Sequence, residues 1–296
     1  MEQNSICCVI VTYNIGKQFL SCFNAIKNQV DRVVIIDNGS DYETIKVLKN
    51  IELINEAVII YNSDNKGIAA ALNKGVEFAL DNNYEWLLTM DNDSIASENM
   101  VESMLNTYNC LEEKHKKGIV SIFPTYLERA FLENSDKKSN NKASKYHFVN
   151  MEITSGNLLK VSVFNKVEKF IEDLFIDYVD HEFCLRLLDN GYKLIQAEEA
   201  FLFHRLGESG EKKVLGFRIT YTNHSPLRLY YITRNSLYTW SKYYKDFPKI
   251  VIRDIIFYIR KTLKILFYEE KKKDKFEMIF KGVKDYKKKK FGKLEL

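Results

Sequence analysis

Two aspartates, Asp91 and Asp93, stand one residue apart directly after the apolar run 86–90 (WLLTM). Carboxylates held that close repel each other unless a cation neutralises them. Mg2+ and Mn2+ favour carboxylate oxygens together with diphosphate oxygens. An ion held there would offset the charge on a departing nucleotide diphosphate, a Lewis-acid role. Three further polar clusters close earlier apolar runs. Thr12, Tyr13 and Asn14 end the run 6–12 (ICCVIVT), Asp37 to Ser40 end the run 32–37 (RVVIID), and the segment 62–67 (NSDNKG) follows 57–61 (AVIIY). Singly, each would serve as a turn or a helix cap. Four of them on one sheet edge describe a ligand crevice.

The order of elements is what would bring them to one edge. Helical stretches are expected at 16–29, 41–55, 67–80 and 97–109, one after each apolar run; in the third, Ile68, Leu72 and Val76 recur on one face. This β-α-β-α-β-α-β order predicts an α/β fold, a mostly parallel sheet flanked by helices. The apolar runs are continuous rather than alternating, as strands covered on both faces are. Right-handed crossovers then place all the strand carboxyl ends on one side. A helix is expected over 179–190, strand structure over 192–203, and loops over 128–145 and 205–217. Beyond Pro226 the chain reads as helical and basic. The expected division is a catalytic domain over 1–225 and a helical basic region over 226–296.

Position and composition remove competitors. Phosphatases of the haloacid dehalogenase type carry their paired aspartates after the first strand, which here ends in Thr12, Tyr13 and Asn14. The glycine-rich fingerprints of dinucleotide-binding and P-loop folds are absent from the first strand–helix turn, and so is the glycine-rich basic loop of sugar nucleotidyltransferases. Apolar residues make up 46% of the 296 residues, enough for a globular core and too many for disorder. The five cysteines form no CxxC pair, which argues for reduced thiols over zinc or redox sites. No basic stretch followed by an apolar one opens the chain, so a cytoplasmic location is expected.

These stretches resemble the inverting family 2 glycosyltransferases, which have the GT-A fold. The matching segments are VIVTYN (9–14), VVIIDNGS (33–40), NKGIAAALNKG (65–75), LLTMDNDS (87–94), ITSGNLL (153–159), FIDYVDHEFCLRL (175–187) and FHRLG (203–207). The run HSPLRLYYITRN (224–235) resembles the rhamnosyltransferase branch. The resemblance implies that Thr12, Tyr13 and Asn14 line the nucleotide base, with Asp37 bonded to the base edge. Asn65 and Gly67 would lie along the donor. Asp91 would hold the donor sugar and share the metal with Asp93, and His204 would be a further contact to metal or diphosphate. The catalytic base of the family lies six residues before an arginine. Counting back from Arg186 gives Asp180, with Glu182 as its acidic companion, although the family's preceding Glu is Val179 here. Such a carboxylate takes the proton of the attacking acceptor hydroxyl. The alternative for Asp180 is a helix N-terminus favoured by the dipole. Ser155 and Gly156 suit the acceptor side or an ordinary turn. Arg228 and Arg234 would meet diphosphate or an anionic acceptor, or pair with acids.

The expected activity is transfer of a sugar, L-rhamnose from dTDP-rhamnose, to a glycan acceptor that is lipid-linked, in surface polysaccharide synthesis, with Mg2+ or Mn2+ as cofactor. The alternatives are a UDP-hexose or UDP-N-acetylhexosamine donor, and a non-catalytic nucleotide-sugar-binding assembly subunit. Residues 249–296 carry sixteen Lys or Arg against seven Asp or Glu. Such a tail suits an anionic surface. Charges at Arg253, Arg260, Lys261 and Lys264 argue against a spanning helix over 250–268 and for one lying on the membrane face. Packing on the enzyme's own core or in a homodimer is the other outlet. Nucleic acid is not expected, since no nucleic-acid module is visible.

Overall fold

Strand β1 (Ile6–Thr12) is buried along its whole length and forms the axis of the sheet. It pairs in parallel with β2 (Arg32–Asp37) on one side and β4 (Trp86–Asp91) on the other, and β2 pairs in parallel with β3 (Val58–Tyr61). The register sets Thr12 opposite Asp37 and Val11 opposite Asp91, so the carboxyl ends meet on one edge. Between the strands lie α1 (Phe19–Ile26), preceded by one 3-10 turn, then α2 (Tyr42–Leu53) and α3 (Ile68–Asp81). Asp41 caps α2 by accepting the Thr44 N–H at 2.9 Å, and this bond holds its carboxyl below the usual carboxylate range. The computed structural model describes residues 5–128, 145–204, 209–214 and 217–295; the expected loop at 128–145 lies almost wholly outside them.

Beyond β4 the chain adds β5 (Ile95–Ala96), α4 (Met100–Asn109), α5 (Glu113–Lys116), β6 (Ile119–Glu128), β7 (Tyr146–Val149), β8 (Asn157–Lys160), α6 (Val179–Asp189) and β9 (Lys193–His204). Among the described residues the sheet order is β3-β2-β1-β4-β8-β6-β9-β5, with β7 also on β9. Strand β8 runs antiparallel to β4 and β6, whereas β6 and β9 are parallel. The sheet is thus mixed, parallel in the half that carries the first three polar clusters. Its core takes in Cys8, Ile10, Phe23, Leu48, Trp86 and Met104. Burial pushes the neighbouring Cys7 thiol up to about 12, so it behaves as a small apolar side chain.

The chain divides into two compact units, Met1–Glu172 with Phe183–Arg205, and Asp173–Glu182 with Leu206–Leu296. The segment 173–182 therefore belongs with the C-terminal part, a grouping that a single boundary at 225/226 does not describe. In the second unit, β10 (Ser209–Val214) and β11 (Phe217–Thr222) form an antiparallel pair where a loop was expected over 205–217. The β-branched and aromatic residues of 217–222 supply the strand preference, and pairing recruits the polar SGEKKV segment. Three helices follow, α7 (Pro226–Tyr243), α8 (Pro248–Tyr268) and α9 (Lys272–Lys287). Ser225 caps α7 and Pro226 occupies its first turn. Leu229, Ile265 and Ile279 join the three helices in one apolar cluster. Beside it, buried Lys275 bonds Glu269 at 2.7 Å and Asn223 at 2.6 Å. Among the described residues no helix is long and apolar enough to cross a membrane.

Candidate functional site

Asp91 is the last residue of β4, and Asp93 follows in the turn to β5. The two residues of β5 pair with the end of β9, Ile95 opposite Phe203 and Ala96 opposite Leu202. That pairing carries His204 to the turn. One ligand atom from each of Asp91, Asp93 and His204 lies within 4.8 Å of the others, with all three side chains partly buried. Ser94 Oγ lies 2.8 Å from His204 Nδ1. Metal binding through the opposite ring nitrogen calls for Nδ1–H donating to that hydroxyl, the orienting bond that metal-bound imidazoles usually make. Two carboxylates and one imidazole form a donor set suited to Mn2+ and acceptable to Mg2+.

Ser155 completes this arrangement. Its Oγ accepts the Asp91 backbone N–H at 3.0 Å and donates to Ser94 Oγ at 2.8 Å. Gly156 has φ +83°, and a Cβ there would come within 2.7 Å of Pro124 Cγ and 2.9 Å of Leu202 Cδ2. Only glycine fits that turn into β8 without displacing its neighbours. The structure therefore ties Ser155 to the Asp91 backbone, and the Gly156 N–H donates to the Thr89 carbonyl of β4 at 2.7 Å.

The residues expected on the donor side form a second network. Buried Asp37 accepts from Thr12 Oγ1 at 3.3 Å and from the Gly39 and Ser40 N–H groups at 3.2 and 3.1 Å. Asn14, with φ +50°, ties the first two strand ends together. Its N–H donates to Ser40 Oγ at 3.1 Å, and its Oδ1 accepts the Asp41 N–H at 2.8 Å. Tyr13 is exposed beside it. Asn65 Oδ1 accepts the Gly67 N–H at 2.9 Å, and Gly67 precedes α3 with φ +88°. Asn38, which the motif reading left unassigned, is the hub. Its amide donates to Asn65 Oδ1 and Gly67 O, and its Oδ1 accepts from Asn62 Nδ2 and the Lys66 N–H. Its place within DNGS, between Asp37 and the strand-three cluster, was the available signal.

Asp180 lies in the first turn of α6, where Oδ1 accepts the His181 N–H at 2.8 Å. The approach to that turn is strained. Phe175, Asp177 and Tyr178 have φ of +64°, +61° and +63°, and left-handed backbone is unfavourable for non-glycine residues. Two adjacent side chains of α7 hold it. Asn235 Nδ2 donates to the carbonyls of Leu174, Ile176 and Asp177 at 2.8–2.9 Å. Arg234, 1% exposed, donates to the carbonyls of Asp173 (3.1 Å), Leu174 (3.2 Å) and Gly292 (2.7 Å). The Arg234 guanidinium thus meets main-chain oxygens, where the sequence reading set an anion or an acid. Arg228 pairs through Nε with Asp177 Oδ1 at 3.1 Å. Burial raises the Asp177 carboxyl above the usual range, and Arg228 opposes that rise. Glu182 is fully buried, accepting from Lys242 at 2.9 Å and Tyr243 at 2.8 Å.

Asn235→Ala is expected to destabilise the protein by about 2–4 kcal/mol, because buried carbonyls lose their donor while the strained residues remain. A denaturant titration measures this, and an unchanged midpoint would show that the turn holds without the clamp.

Residues 7–167, just over half of the chain, match glycosyl transferase family 2. The chain belongs to that family. It is also 28% identical to dTDP-rhamnosyl transferase RfbF of Shigella flexneri over 282 residues, covering 91% of this chain and 90% of the relative. Among solved structures, GalNAc-T7 with UDP, GalNAc and Mn2+ aligns with a TM-score of 0.59 at 13% identity, over 97% of this chain and 56% of that one. The mannosyltransferase PcManGT of Pyrobaculum calidifontis, in complex with GDP-Man and Mn2+, aligns at 0.57 with 12% identity, over 96% and 75%. The glycosyltransferase assignment and the GT-A fold agree with the motifs, and the C-terminal helices accompany that fold here.

Proposed function

We propose that this family 2 glycosyltransferase moves L-rhamnose from dTDP-rhamnose, with inversion, to a lipid-linked glycan acceptor in surface polysaccharide synthesis. The likeness to a dTDP-rhamnosyl transferase along nearly the full length of both chains carries the choice of sugar. The transfer chemistry draws support from the Asp91, Asp93 and His204 cluster at the strand ends. In this reading those three residues hold Mn2+ or Mg2+, as both structural relatives were solved with Mn2+. When bound, the ion supplies charge neutralisation to the leaving diphosphate. Thr12, Asn14, Asp37 and Asn65 shape the nucleotide side, and Asp180 takes the acceptor's proton.

A UDP-sugar donor is the second reading, prompted by the UDP and GalNAc of one structural relative. A thermal-shift panel of dTDP-rhamnose, UDP-glucose, UDP-N-acetylglucosamine and GDP-mannose, each with and without Mn2+, separates the two. Ligand at a hundred times its dissociation constant adds about 2.7 kcal/mol, a readily measured shift. A Mn2+-dependent shift with dTDP-rhamnose alone is the expected result, and a shift with a UDP-sugar instead would replace the donor.

A further inference from the structure

Helix α8 has one apolar face turned inward and a second turned to solvent. Val251 and Ile265 are its buried apolar contacts. Ile252, Ile256, Phe257, Ile259, Leu263 and Phe267 are each at least 45% exposed, Phe257 reaching 66%. At 100° per residue these positions occupy one continuous side of the helix, on the order of 20 Å long. Arg253 and Arg260 emerge from the same side and are exposed. The helix contains one acid, Asp254, and it is engaged elsewhere, accepting from Trp240 Nε1 at 2.7 Å and from the Tyr178 hydroxyl at 2.9 Å. The solvent side of α8 is therefore apolar and cationic with no carboxylate.

We infer that the exposed side of α8 lies in the headgroup region of an anionic lipid bilayer, with its apolar side chains in the acyl boundary and Arg253 and Arg260 reaching to lipid phosphates. Charge decides this occupant over a second copy of the chain. In a self-association through α8, arginines would meet arginines with no acid on the helix to pair them, whereas phosphates at a lipid surface complement them. The breadth of the face points the same way. A helix-to-helix seam is narrow, while an interfacial helix exposes a wide apolar arc with cations at its margin and within it. The long arginine side chains suit that depth, since their stems lie along apolar surface while the charged heads stay in the polar layer. Exposed lysines at 271–273 and 287–290 add positive charge in the same unit. This attachment goes beyond the transfer reading and does not rest on it, since neither donor nor metal takes part.

The test is flotation of the full chain with vesicles of phosphatidylcholine alone and of phosphatidylglycerol with phosphatidylcholine in equal parts. Binding to the anionic vesicles, weakened by salt and nearly absent on the neutral ones, is expected. Arg253→Gln and Arg260→Gln should each lower the partition about fivefold. Phe257→Glu with Ile259→Glu should abolish it while leaving the melting temperature unchanged, because both side chains are in solvent. Phe257→Trp gives an independent reading, a blue-shifted emission on adding anionic vesicles. No binding to anionic vesicles, undiminished binding by the double glutamate variant, or an unshifted emission from the Phe257→Trp variant would overturn the inference. So would a stable dimer in sedimentation that the double glutamate variant dissociates.

Discussion

Asp180→Asn is expected to leave donor binding unchanged and to slow transfer about a hundredfold to ten-thousandfold, the usual range for loss of a general base. In the proposed step the acceptor oxygen bonds to the anomeric carbon as the bond to the diphosphate breaks. The leaving group takes the electron pair, and the acceptor's proton passes to the Asp180 carboxylate. Asparagine is close in size, and its amide oxygen still accepts the His181 N–H, so the start of α6 is kept. It has no basic oxygen for the proton. A residue that only stabilised the helix terminus would behave otherwise, costing up to about 1 kcal/mol of stability and nothing in rate. Single-turnover transfer, measured beside donor affinity, distinguishes the two, and wild-type turnover in the variant would remove Asp180 from the mechanism.

The second large effect concerns Asp93. Asp93→Asn should weaken Mn2+-dependent donor binding by about a hundredfold or more, since loss of even an outer hydrogen-bond partner costs roughly 10–100-fold in metal affinity. Chelation of the metal should bring the wild type to the same level. Calorimetric titration of donor with and without Mn2+ supplies the measurement, and equal affinity in wild type and variant would dismiss the metal assignment. Because Ser94 and Ser155 link His204 to the Asp91 backbone through 2.8 Å and 3.0 Å contacts, Ser94→Ala should show a smaller loss of the same kind.

Much of this architecture is legible in local patterns. Continuous apolar runs mark β1, β2 and β4, and turn residues mark their carboxyl ends, because doubly covered parallel strands leave no other pattern. What stays hidden is long-range pairing. Strand β5 is two residues long, too short for any periodicity, yet its pairing with β9 brings His204 to the aspartates. The partners of Ser155, Asp91 and Ser94, are not legible in the sequence because they are reached through the antiparallel pairing of β8 with β4. Arg234 reads as a contact to an anion or an acid because the main-chain carbonyls it meets leave no trace in a sequence. The left-handed run at Phe175, Asp177 and Tyr178 had no glycine to announce it. The pairing of β10 with β11 is half concealed by a lysine- and glutamate-bearing strand with little preference of its own.

The pairing of Ile95 with Phe203 also bears on when the protein acquires its chemistry during synthesis. A nascent chain that has released β1 to β4 and the turn after β4 already carries both aspartates and the polar clusters that close the first three strands. The imidazole arrives only after another hundred or so residues have been translated and β9 has closed against β5. A truncated product ending before residue 204 would hold Asp91 and Asp93 without the His204 imidazole. If the proposed metal role holds, such fragments would turn over little activated sugar, and activity would come late in the synthesis of the chain.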